Sequence, residues 1–135
     1  NVIRGLGADL IDPRAYGLKL NVLSNVKHYA PILKSADLAI TSSDFALPLM
    51  TAAGIPTLAL AQNAIEILNV QARFDSGILT LGFGALISED TLAAHLDRLI
   101  EDSELRLAMH ERALSSVGVR TNNKVAQRLL RRIGF

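Results

Sequence analysis

Apolar positions along the chain fall into two patterns, short unbroken runs and stretches at helical spacing. Asp37-Leu38-Ala39-Ile40-Thr41 and Pro56 to Ala61 (PTLALA) lack polar alternation, as expected of strands covered on both faces. Both are expected to be central and buried. Gly77 to Leu81 reads as a third strand, and Asn1 to Arg4 and Leu18 to Leu23 as two earlier ones. Gly5-Leu6-Gly7 is a strand-ending turn, and Asp12-Pro13 marks another turn or a short helix start. Val26, Tyr29, Ala30 and Leu33 are helically spaced, but Pro31 is tolerated only in a first turn. That helix therefore starts near Lys27 or later. Ser42-Ser43-Asp44 is a run of N-cap residues before a helix from Phe45 to Ala53, and Gly54 stands where a left-handed C-terminal residue belongs. Another helix runs from about Asn63 to Phe74. Ser88-Glu89-Asp90 opens a helix with Leu92, Leu96, Leu99 and Ile100 on one face. Ser103 is expected to cap the next, whose stripe is Leu105, Met109 and Leu114. After Gly118, Asn122 to Ile133 reads as a last helix.

Strands alternating with helices imply an α/β fold. The expected form is a Rossmann-like parallel sheet with helices on both faces and further helices at the C-terminal end. The 135 residues show no repeat and no interdomain linker, so one domain over residues 1–135 is expected. The chain starts inside an apolar run, which suggests the C-terminal part of something longer.

Composition removes several function classes. Without Cys there are no disulfides, thiol nucleophiles, iron–sulfur thiolates or Cys-based zinc sites. Fourteen Lys plus Arg against thirteen Asp plus Glu give no general affinity for nucleic acid or an anionic membrane. No apolar run approaches the roughly 18 residues of a membrane span, and a cytoplasmic location is expected. His28, His95 and His110 lack metal-ligand spacing and are expected at solvated helix positions, so no metal or cofactor is implied. Arg120, Lys124, Arg128, Arg131 and Arg132 form a basic stretch that reads as the solvated face of the last helix, with Val125, Leu129 and Ile133 inward.

Ala36-Asp37-Leu38-Ala39-Ile40, then a polar turn and a helix, then Gly54-Ile55-Pro56, an apolar strand, Asn69 and Gly77 form a specific order. It resembles the C-terminal nucleotide-sugar-binding domain of the GT-B superfamily. Within that group it is most similar to the UDP-sugar hydrolase of pseudaminic acid biosynthesis and the peptidoglycan N-acetylglucosaminyltransferase. The likeness runs from about Val2 to Leu114, and its specific part from Ala36 to Gly77. The donor motif departs from the family pattern. Ser43 and Asp44 replace the two glycines that let backbone approach a diphosphate, and Ala46 replaces a Thr. Leu49 replaces the Glu that takes ribose hydroxyls, and Ile65 and Glu66 replace an Asn-Gln pair.

What the resemblance implies is a donor site at the C-terminal ends of adjacent strands, where open α/β sheets bind ligands. Thr41, Ser42, Ser43 and Asp44 would line it from one turn, and Gln62, Asn63, Glu66 and Asn69 from the next. The same residues also read as helix caps. Ser42 or Ser43 would accept first-turn amides, with Asp44 complementing the dipole, and Asn63 with Glu66 would form a capping-box variant.

Two functions stay open. One is the donor domain of a glycosyltransferase or UDP-sugar hydrolase in bacterial surface-glycan biosynthesis, its ligand a UDP- or CMP-linked sugar. Its general base would reside on an N-terminal domain not in this chain, since no catalytic residue is identifiable here. The other is a non-catalytic GT-B-like binding or dimerisation module. Losing two donor contacts of about 1.4 kcal/mol each costs a hundredfold in affinity. This chain alone is therefore expected to bind UDP-sugars more weakly than millimolar and to show no activity.

Overall fold

The computed structural model describes residues 2–3, 22–23, 26–44, 46–71 and 77–117. The expected turn at Gly5-Leu6-Gly7, the Asp12-Pro13 turn, most of the Leu18–Leu23 strand, and the final helix with its basic residues lie outside them.

The chain divides into two compact units, residues 1–32 and 33–135. In the first, β1 (Val2–Ile3) and β2 (Val22–Leu23) pair in parallel. The short helix α1 (Ala30–Lys34) carries Pro31 in its first turn, the place where a missing N–H costs nothing.

The second unit is a three-stranded parallel sheet in the order β3 (Ala39–Ser42), β4 (Thr57–Ala61), β5 (Ile78–Phe83). Helix α2 (Ala46–Ala52) joins β3 to β4, and α3 (Ala64–Gln71) follows β4. Pro48 also falls in the first turn of its helix, so α2 tolerates it. A 3-10 turn (Gly84–Leu86) leads from β5 toward α4 (Glu89–Glu101) and α5 (Ser103–Ser116). The expected α/β, Rossmann-like class is the observed one. β5 runs two residues further than expected, and Leu81 is the extra residue of a bulge opposite Ala59–Leu60.

Helices cover both faces of the sheet because β4 alternates between two apolar layers. Ala59 packs with Leu47 of α2 and Ile78 on one face. Leu58 packs on the other with Leu96 and Leu99 of α4, Leu105 and Met109 of α5, and Leu38, Leu79 and Leu81. β4 is the central, buried strand. The expectation for β3 needs correction. Among the described residues it pairs on one side only, and Ile40 is 50% exposed. Its apolar run has the composition of a doubly covered strand, but among the described strands only β4 has a paired neighbour on each side.

Local chemistry sets the helix ends. Ser88 Oγ accepts from Thr91 N–H at the start of α4, as expected. The cap of α5 is Asp102, not Ser103: Asp102 Oδ1 accepts from Leu105 N–H at 2.8 Å. Arg106 donates to the Leu99 and Ile100 carbonyls, satisfying acceptors in the last turn of α4 with a cation.

The N-terminal edge of the sheet depends on two glycines. Gly54 has φ +69°, the left-handed conformation expected after α2, and its carbonyl meets His110 Nδ1 at 2.6 Å. A carbonyl only accepts, so Nδ1 carries the proton. His110 is thus a half-buried tie between α5 and the end of α2, not the solvated residue expected. Gly77 has φ +71°, and a Cβ there would lie 2.8 Å from Ala113 N and closer still to the Met109 carbonyl oxygen. Only glycine lets α5 lie this close.

Candidate functional site

β3 and β4 are parallel, so the turns that follow them emerge at the same edge of the sheet. The first runs through Ser43 and Asp44 into α2, the second through Gln62 and Asn63 into α3. Thr41 and Ser42 are the last residues of β3, half-buried and paired with Ala59 and Leu60.

Glu66 joins the two turns. The residue is buried, 8% exposed, although it belongs to the first turn of α3. Oε2 accepts from Ser43 N–H at 3.2 Å and from Gln62 N–H at 2.9 Å. Oε1 accepts from Asn63 Nδ2 at 3.0 Å, and Asn63 Oδ1 accepts in return from Glu66 N–H at 3.0 Å. The second exchange is the capping-box variant expected from Asn63 and Glu66. The bond to Ser43 spans 23 residues of sequence and belongs to no local motif. A buried carboxylate is stable when several N–H groups surround it, and this one has three such donors.

The expected cap of α2 is corrected in its identity. Neither Ser42 nor Ser43 accepts a first-turn amide through its hydroxyl among the described hydrogen bonds. Asp44 does so: Oδ1 accepts from Ala46 N–H at 3.0 Å, and the Asp44 carbonyl accepts from Leu47 N–H at 3.3 Å. This Asx arrangement leaves Asp44 exposed, its negative charge at the rim of the turn. Ser43 is 1% exposed, and its Oγ is a buried polar atom without a hydrogen-bond partner. An orphan hydroxyl of that kind is unusual in a folded interior.

The structure therefore brings Ser43 and Glu66 together through a hydrogen bond and places Thr41, Ser42, Asp44, Gln62 and Asn63 on the same edge. Asn69 lies on α3, and its side chain is outside the described part. Leu49, half-buried on α2, and Ile65, 72% exposed on α3, are apolar where the family pattern has Glu and Asn. Phe45 is outside the described residues. Sequence reading singled out Glu66 but missed its bond to the preceding turn. The signal available was an acidic residue in a helix first turn facing a sheet edge rich in free amides.

Among the described residues no helix is long and apolar enough to cross a membrane. No protein-family model matches the chain. It is similar to the spore coat polysaccharide biosynthesis protein SpsG of Bacillus subtilis (strain 168), at 29% identity over 91 residues. That alignment takes in 67% of this chain and only 27% of SpsG, so the likeness is to a part of that protein.

Proposed function

We propose that this chain is the sugar-nucleotide-facing domain of a GT-B-type protein in surface-polysaccharide biosynthesis. The carrying observation is the edge formed by the β3 and β4 turns, tied by Glu66, in a chain similar to part of a polysaccharide biosynthesis protein. Convergent polar groups at the C-terminal ends of parallel strands are where such sheets take ligands. A second Rossmann-like domain would close the cleft and supply the base that activates an attacking hydroxyl or water. The nucleoside diphosphate would leave from the sugar carbon. This chain's part is to hold and orient the donor. The filled Ser43–Gln62 amide pair favours one other reading, a GT-B-like module that keeps the scaffold and binds a partner without catalysis.

Amide-resolved NMR titration with uridine, UDP and UDP-N-acetylglucosamine tests the proposal, because it registers binding weaker than millimolar. Shifts confined to residues 41–44 and 62–69 are the expected result. Shifts centred on Gly54 and Gly77 at the opposite edge, or none with tens of millimolar ligand, would overturn it.

A further inference from the structure

We infer that Glu66 is a resident anion: its carboxylate fills the two-amide cradle between the β3 and β4 turns and bars a ligand phosphate from it. Backbone N–H groups at such turns attract anions, and two of them, from Ser43 and Gln62, converge on the single oxygen Oε2. A third donor, Asn63 Nδ2, holds the other oxygen, so three of the carboxylate's roughly four acceptor directions are taken by the protein. Asp44 adds a second negative charge at the exposed rim. Ser43 Oγ, beside this cradle, is buried and without a partner, so no hydroxyl of the β3 turn competes with the carboxylate for the two amides. The inference rests on the location of the site proposed above. Its consequence is a preference of class. At this edge the chain favours an uncharged part of its ligand, since a diphosphate gains nothing from the Ser43 and Gln62 amides.

The side chain also determines how the variants behave. In Glu66→Gln one oxygen still faces the two amides, but the new NH2 group opposes Asn63 Nδ2, and the charge is gone. Glu66→Ala vacates the cradle altogether.

Inorganic pyrophosphate is the probe, titrated into the intact chain and followed at the Ser43 and Gln62 amides. The wild type should show no saturable shift at either amide. Glu66→Ala should show one at both, with affinity roughly tenfold or more above the wild type and a melting temperature that rises with pyrophosphate. Glu66→Gln should fall between. Where Glu66→Ala does not fold, Glu66→Ser, whose short side chain also vacates the cradle, takes its place: pyrophosphate binding no tighter than in the wild type overturns the inference. Saturable wild-type shifts at Ser43 and Gln62 overturn it as well. The probe contains no nucleoside. Pyrophosphate capture by the variants with no nucleotide binding anywhere would refute the proposed function and leave the resident anion standing. Nucleotide shifts at residues 41–44 together with equal pyrophosphate binding by all three proteins would do the reverse.

Discussion

At the N-terminal edge of the sheet, Gly54 and Gly77 let α5 lie against bare backbone, and His110 closes the contact onto the Gly54 carbonyl. At the C-terminal edge, Glu66 holds two turns through hydrogen bonds, with Asp44, Gln62 and Asn63 exposed around it. The first edge is joined by steric fit, the second by a directional polar link. Steric fit tolerates almost no added atom, because a crowded interior cannot relax without moving a helix. A polar link depends on matched donors and acceptors rather than on exact volume, so it tolerates a change of shape better than a change of acceptor. The contrast separates an edge closed by close packing from an edge that leaves polar side chains exposed around a single buried carboxylate.

Breaking the fit should have the largest effect. Gly77→Ala combines a left-handed backbone with a collision against α5 and should cost roughly 2–5 kcal/mol, read by urea denaturation. Leu58→Ala, at the centre of the α4–α5 layer, should cost a similar 2–5 kcal/mol or so. If either variant unfolds at the wild-type midpoint, the N-terminal edge and its layer are not what maintain the fold.

Breaking the polar link should cost less. Glu66→Ala strands the Ser43 and Gln62 amides and should lose about 1–3 kcal/mol in the same measurement. A loss larger than that of Gly77→Ala would reverse the comparison. Away from both edges, Asp102→Ala removes the α5 cap and should cost about 1 kcal/mol, seen as a lowered thermal midpoint. Ser43→Ala should have the smallest effect, within about 0.5 kcal/mol of zero or slightly stabilising, since its hydroxyl is buried without a partner. A clear loss would mean that the Ser43 hydroxyl has a partner in solution.

The elements were legible in the chain because strand and helix signals repeat within a few residues. PTLALA could only be a covered strand, Ser88 preceded Glu89 and Asp90 in a capping pattern, and Gly54 followed a helix where a positive φ was needed. Where adjacent residues have similar capping ability, the local pattern pointed to the wrong one, to Ser103 for α5 and to Ser42 or Ser43 for α2. Ser103 and Asp102 are both good caps, as are Ser43 and Asp44, and in each pair the carboxylate took the amide. A carboxylate accepts a helix-terminal N–H more strongly than a hydroxyl does, which accounts for the outcome.

The sequence by itself determined the α/β class, the parallel strands, the exchange between Asn63 and Glu66, and the inward positions Leu96, Leu99, Leu105 and Met109, while Ile100 and Leu114, expected on the same stripes, are exposed. Those features depend on residues within about one helical turn or on a strand's period of two. Tertiary structure alone decided that Ile40 is half exposed, that His110 binds the Gly54 carbonyl, and that Glu66 reaches Ser43 across 23 positions. Each depends on which backbone atoms from distant segments arrive at the same place. A buried carboxylate accepts whatever N–H groups the packed strands bring to it.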